Sequence, residues 1–189
     1  MVKNLIRKSL LEQGQLLSKN FIQKANIDIQ NAAIKHLDIR SSKNILSYFP
    51  YKNEVTLEII SQEFKKYKNN IFMPRIVSAN QLKFNLFKEN ATLEKNKYGI
   101  NEVKNEDYLD SASFDLMFIP FVGIDKGGYR LGYGGGYFDR SLGNISFTEK
   151  KPIIVGLGYD FQILEESFAE SHDLKYDIVI TQTRIHSYS

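Results

Sequence analysis

Ile45-Leu46-Ser47-Tyr48-Phe49-Pro50 is the stretch from which the fold is read. A short apolar run stopped by proline has the form of a buried strand at its end. On its C-terminal side, Asn53 stands where an N-cap is expected. Val55, Leu57, Ile59, Ile60 and Phe64 then recur at helical spacing until the polar residues 65–70 close the element. On its N-terminal side, Leu5, Ile6, Leu10, Leu17 and Phe21, then Ile27, Ala32, Ala33 and Ile34, predict two helices or one interrupted helix. Further strand-like runs cover 71–77, 82–87, 114–122, 153–158 and 178–181, and the region 82–104 reads as a hairpin or a long loop. Strands alternating with helical segments predict an α/β fold whose largely parallel sheet is covered on both faces. Such sheets bind ligands beyond the carboxyl ends of their strands, so the loops after Phe49, Val122 and Gly158 are the places to look for chemistry.

The composition narrows the field. A chain of 189 residues with 42% apolar content is sized for one globular domain, expected to span 1–189. Its 25 basic and 22 acidic side chains leave a net charge of only +3, too small to support a nucleic-acid or membrane partner by itself. Cysteine is absent, which excludes disulfides, thiolate metal sites and thiol catalysis and fits a reducing compartment; a cytoplasmic protein is expected. The longest apolar run, 116–124, is nine residues with a proline inside it, far short of the ~20 needed to span a bilayer. Lys3, Arg7, Lys8 and Glu12 interrupt any secretory core at the start.

The chemistry concentrates at 127–136, where Gly127-Gly128-Tyr129-Arg130-Leu131-Gly132-Tyr133-Gly134-Gly135-Gly136 holds six of the twelve glycines. Glycine admits positive φ and lets backbone N–H groups approach phosphate oxygens closely. Arg130 adds a planar cation to the same loop. Residues 137–142 read as a helix whose N-terminus points at the glycines. The same cluster also reads as a hairpin turn with packed tyrosines. Neither nucleotide fingerprint is present: there is no Gly-Lys-Ser/Thr, and Gly132-x-Gly134-x-x-Tyr137 lacks its third glycine.

The string from Gly128 through Asp139 to Arg140 closely resembles the 5-formyltetrahydrofolate cyclo-ligase signature G-x-R-L-G-x-G-x-G-Y-Y-D, with Phe138 in place of the second tyrosine. The basic pair near the start, Phe49 with Asn53-Glu54, Phe72-Met73-Pro74, Tyr98-Gly99-Ile100, His172-Asp173 and Tyr176-Asp177 agree in order and spacing, so the resemblance spans nearly the whole chain. It implies a three-layer αβα fold similar to that of sugar-phosphate isomerases and CoA transferases. It also implies the reaction of 5-formyltetrahydrofolate with magnesium ATP to give 5,10-methenyltetrahydrofolate, ADP and phosphate, through a phosphorylated formyl group.

The resemblance further implies residue roles. Lys3 and Arg7, four apart on one helix face, are expected on the ATP phosphates. Arg130, Leu131, Gly132, Tyr133, Gly134, Gly135, Gly136, Tyr137 and Phe138 are expected to form the ATP loop, with the 133–137 part also bordering the folate. Asp139 and Asp173 are the expected Mg2+ ligands, and Arg130 and Asp139 the expected catalytic pair. Glu54 is expected on the pterin, Phe49 and Tyr98 on the walls of the folate pocket, and Met73 as a possible addition to it. Each residue also has a plain reading: Lys3 and Arg7 as a solvated basic face, Asp139 as a first-turn helix carboxylate, Asp173 as a turn residue, Glu54 as a cap, Tyr98 as core. His36, His172 and His186 show no metal spacing, and Lys126 is an ordinary lysine near a turn. A monomer is expected. The competing functions are a sugar-phosphate isomerase working without ATP or magnesium, an RNA-binding module built on Tyr129, Tyr133, Tyr137 and Phe138, and a folate-binding protein that has lost catalysis.

Overall fold

The computed structural model describes residues 2–143, 145, 150–170 and 172–188. Helices α1 (Val2–Gln15) and α2 (Lys19–His36) lead to strand β1 (Asn44–Leu46), helix α3 (Glu58–Tyr67) and the long hairpin β2 (Asn70–Ser78) and β3 (Gln81–Phe87). Short strands follow: β4 (Leu93–Lys95), β5 (Asn101–Val103), β6 (Tyr108–Leu109), β7 (Leu116–Phe118), β8 (Gly123–Ile124) and β9 (Arg130–Leu131). Helix α4 (Tyr137–Leu142), β10 (Ile153–Leu157), β11 (Ile178–Ile180) and β12 (Ile185–Ser187) complete the chain.

The main sheet has eight strands in the order β12-β11-β10-β7-β1-β2-β3-β6. β11, β10, β7, β1 and β2 run parallel, and β12, β3 and β6 add antiparallel edges. The central strands are short and, apart from Asn44 at the start of β1, carry no polar side chain because both faces are covered. Ile45, Leu116, Phe118, Val155 and Ile180 meet Ala25, Ile29 and Ala33 of α2 and Ile60 and Phe64 of α3. Leu46, Met117, Ile154 and Val179, one residue out of step, pack on the opposite face against Phe72, Phe84, Phe114, Tyr176 and Leu142 of α4.

Two local expectations change, and two open alternatives are resolved. The first forty residues form two helices, separated because Ser18 caps α2 by accepting a hydrogen bond from Phe21 N at 3.2 Å. Asn53 is not an N-cap: α3 starts at Glu58, and the Asn53 amide donates instead to Gly14 O at 2.7 Å, closing the exposed carbonyl end of α1. The run 114–122 is a strand only over Leu116–Phe118, after which the chain bends into the β8–β9 hairpin. Of the two forms expected for 82–104 the hairpin is found, as β4–β5, preceded by β3, which pairs with β2 on one side and β6 on the other.

β1 leads through α3 to β2 on one side, whereas β7 leads to β10 and β11 on the other. The neighbouring strands β1 and β7 therefore mark the point where the winding reverses, and a crevice opens beyond their carboxyl ends. The chain segments after Leu46 and Phe118 border that crevice.

Candidate active site

Two loops build the crevice. After β1, Tyr48 is buried and its hydroxyl donates to Val55 O at 2.7 Å, which ties the two ends of the 48–55 loop together. Inside it, Glu54 Oε2 accepts from Tyr51 N at 2.7 Å, so the carboxyl is fixed at the loop's inner edge. Burial pushes the Glu54 carboxyl up to about 8, opposed by the Tyr51 N–H and by the charge of Arg130.

After β7, the fully buried Asp125 organises the glycine loop. Its Oδ1 accepts from Gly127 N at 2.8 Å and Tyr129 N at 3.0 Å, and its Oδ2 from Phe168 N and Ala169 N at 3.3 and 3.2 Å. At Gly128 φ is +86°, and an added Cβ would lie 2.4 Å from the Tyr188 ring, so this turn requires glycine. The β8–β9 hairpin then delivers Arg130 inward.

Arg130 is buried. Its Nη1 donates to Pro120 O at 3.3 Å, its Nε lies 3.4 Å from Asp139 Oδ1, and its guanidinium carbon lies 5.2 Å from the centre of the Phe138 ring. Among the described residues Nε, which is fully covered, has no hydrogen-bond partner, so Asp139 compensates this buried cation only as a nearby charge. Arg7 reaches the same loop from α1, donating through Nε to Gly132 O at 2.7 Å. A Cβ on Gly132 would sit 2.2 Å from Arg130 Nη2, and one on Gly134, where φ is +99°, 3.5 Å from the Arg7 guanidinium. The two arginines thus approach the glycine backbone from different sides.

Lys3 and Asp173 also converge, with Lys3 Nζ 2.6 Å from Asp173 Oδ2 and 3.4 Å from Glu170 Oε2. Asp139 lies next to this pair, since its Oδ1 accepts from Leu174 N at 3.3 Å. Among the described residues no group of three or more histidine or acidic side chains forms a metal cage. Two aspartates flanking Leu174 suit Mg2+, which takes one or two carboxylates and fills its octahedron with phosphate oxygens and water.

The crevice holds a cavity of about 200 Å3. Phe49, Glu54, Tyr98, Arg130, Tyr133, Gly135, Gly136, Tyr137 and Phe138 all line it. Gly132 and Gly134 lie on the Arg7 side of the loop, and Leu131 turns its buried side chain away into the core. Met73 is buried within β2, while its neighbour Pro74 reaches the cavity wall. A second cavity of about 330 Å3 lies behind the first, between α1 and Tyr159–Gln162, and shares Glu54 and Tyr133 as walls.

Known proteins resemble the chain in sequence and in fold. The profile of the 5-formyltetrahydrofolate cyclo-ligase family matches residues 1–182. The chain belongs to that family. Similar cyclo-ligases include those of Mycoplasma pneumoniae, 32% identical over 95% of this chain and 98% of the relative, and Haemophilus influenzae, 30% identical over 82% and 85%. Among solved structures, the 5,10-methenyltetrahydrofolate synthetase of Aquifex aeolicus superposes with a TM-score of 0.84 at 25% identity, covering 99% of this chain and 93% of that one. The enzyme of Mycoplasma pneumoniae superposes with a TM-score of 0.79 at 26% identity over 96% and 99%.

In this cyclo-ligase the sequence pointed to most of the crevice and missed several supports. Asp125 was legible as the start of an Asp-x-Gly turn. Tyr51 carries no motif and is recognised only by its place on the cavity wall.

Proposed function

We propose that this chain converts 5-formyltetrahydrofolate to 5,10-methenyltetrahydrofolate with hydrolysis of ATP to ADP and phosphate, assisted by Mg2+. The reading is carried by the approach of Arg7 and Arg130 to one short glycine backbone at the edge of a cavity walled by Glu54 and aromatic rings. Polyphosphate chemistry on one side of the loop and a flat heterocycle on the other match two substrates that must exchange a phosphoryl group.

The formyl oxygen attacks the γ-phosphorus and ADP departs, leaving an N5 iminium phosphate. N10 then adds to the activated carbon and loses its proton, and the C–O bond breaks to expel phosphate. The protein's share is positioning and charge neutralisation. Arg130 faces the charge that develops on the transferring group, and Arg7 with Lys3 holds the remaining phosphates. Asp139 and Asp173 would hold Mg2+, which neutralises phosphate oxygens when bound. Glu54 receives the paired N–H donors of the pterin, and Phe49 supplies an apolar wall.

The test follows the near-ultraviolet absorbance of the methenyl product when purified protein meets 5-formyltetrahydrofolate, with and without magnesium ATP. A rise that requires both ATP and magnesium, with one ADP per product, supports the reading. A rise independent of ATP, or none from folded protein, overturns it.

A further inference from the structure

The cavity has two aromatic rims, each carrying a lysine. At one rim Tyr51 and Tyr133 meet edge to face at 5.3 Å, and Lys52 Nζ lies 5.1 and 5.7 Å from their ring centres. At the other, the Tyr98 and Tyr137 rings are 6.3 Å apart with their hydroxyls at 3.3 Å, and Lys97 Nζ lies 5.1 and 5.8 Å from the ring centres. Among the described residues Lys97 makes no ion pair with a carboxylate; Tyr137 and Tyr98 are the groups that raise its pKa. An exposed ammonium is thus held at a binding-cavity mouth by tyrosine hydroxyls and rings, neutral partners that a carboxylate outcompetes.

The chemistry of the folate says which rim it occupies with which end. Its pterin carries paired N–H donors, and its far end carries the glutamyl carboxylates. Glu54, the carboxyl suited to the donors, is hydrogen-bonded to Tyr51 N and so belongs to the first rim. The anionic end is then directed to the second. There the tip of the β4–β5 hairpin is braced: Asn96 Oδ1 accepts from Tyr98 N at 2.9 Å and Ile100 N at 3.2 Å, and Asn96 Nδ2 donates to Glu102 Oε1 at 2.9 Å.

We propose that Lys97, at this hairpin tip, is the counter-ion of the glutamyl carboxylates of the folate and sets the enzyme's preference for glutamylated substrate. This rests on the assignment of the cavity to folate.

The test compares kcat/KM for 5-formyltetrahydrofolate and for 5-formyltetrahydropteroate, which lacks glutamate, in the unmodified enzyme, Lys97→Gln and Lys52→Gln. The substitution and the missing glutamate together form a double-mutant cycle. The preference for the glutamylated substrate is expected to fall about fivefold to tenfold in Lys97→Gln and to persist in Lys52→Gln. Equal slowing of both substrates by Lys97→Gln, or an unaltered preference, overturns the proposal while leaving the folate assignment standing. Failure of the unmodified enzyme to turn over either substrate overturns both.

Discussion

Lys3 Nζ lies 2.6 Å from Asp173 Oδ2, joining the first turn of α1 to the segment that precedes β11 across 170 residues. The cation proposed for polyphosphate and a carboxylate proposed for metal are therefore paired with each other. The neighbouring Arg130–Asp139 pair repeats the arrangement at 3.4 Å. Magnesium ATP suits such a site because it brings an anion for each cation and a cation for each carboxylate.

Lys3→Gln is expected to raise the KM for ATP about tenfold, the equivalent of ~1.4 kcal/mol, with a smaller effect on the KM for folate. It also removes the lysine from Asp173, whose Oδ2 still accepts from Glu170 N at 2.7 Å, so affinity of the protein for Mn2+, read by titration, is expected to increase. Equal changes in both KM values would remove Lys3 from the phosphate site, and unchanged Mn2+ affinity would show that the ion pair does not restrain Asp173.

Glu54 links stability and binding to pH. Its carboxyl titrates near 8 in the folded chain, above its ordinary value of 4.5, so between those values the folded state holds the proton that the unfolded state has released. Stability is then fullest below pH 4.5 with respect to this group and is lost as pH rises through 8, at no more than ~1.4 kcal/mol per pH unit. The fall in melting temperature from pH 5.5 to 8.5 should be shallower in Glu54→Gln. Pterin donors favour the carboxylate, so folate binding at pH 7 should release protons, measured by calorimetry in buffers of different ionisation enthalpy. Parallel melting profiles for the two proteins, with no proton release, would contradict this role for Glu54.

The parallel core was legible because its strands are short apolar runs: Ile45-Leu46, Leu116-Met117-Phe118, Ile153 to Leu157 and Ile178-Val179-Ile180 have no other way to be buried on both faces. The edges β6 and β12 were not, since two or three half-exposed residues carry no period. Asn53 shows how a local signal is overridden. Its amide is as good a cap as any, but the carbonyl of Gly14 at the end of α1 takes it, and α3 starts five residues later without a side-chain cap. The glycine loop was legible as a motif, whereas its partners Lys3, Arg7 and Asp173 are brought to it by the sheet. Nothing in a one-dimensional pattern records that Arg7 rests on Gly132.

Gly132→Ala tests whether the loop serves the arginine. The added methyl would begin 2.2 Å from Arg130 Nη2, and Arg130 has little room to retreat because its guanidinium lies between Pro120 O, Asp139 and the Phe138 ring. The expected result is a loss of kcat of about 10² with a stability cost of ~1–3 kcal/mol, measured by steady-state kinetics and denaturant melts. Retention of full kcat would mean that Arg130 does not act from the observed position.

Asp139→Asn is the sharper test of the metal assignment, and the structure alters what it should do. From sequence the exchange looks nearly silent for folding, a charge removed at constant shape. In the fold Asp139 is the carboxylate beside the buried Arg130, whose Nε already lacks a hydrogen bond among the described residues. Removing the negative charge leaves that guanidinium uncompensated, which is expected to cost about 2 kcal/mol of stability. Magnesium-dependent turnover should fall by about 10² or more, and Mn2+ binding in the presence of ATP should weaken with it. Both losses together assign Asp139 to the metal and to the support of Arg130. A stability loss with normal turnover at limiting magnesium restricts it to support, and a turnover loss with an unchanged melt assigns it to the metal alone.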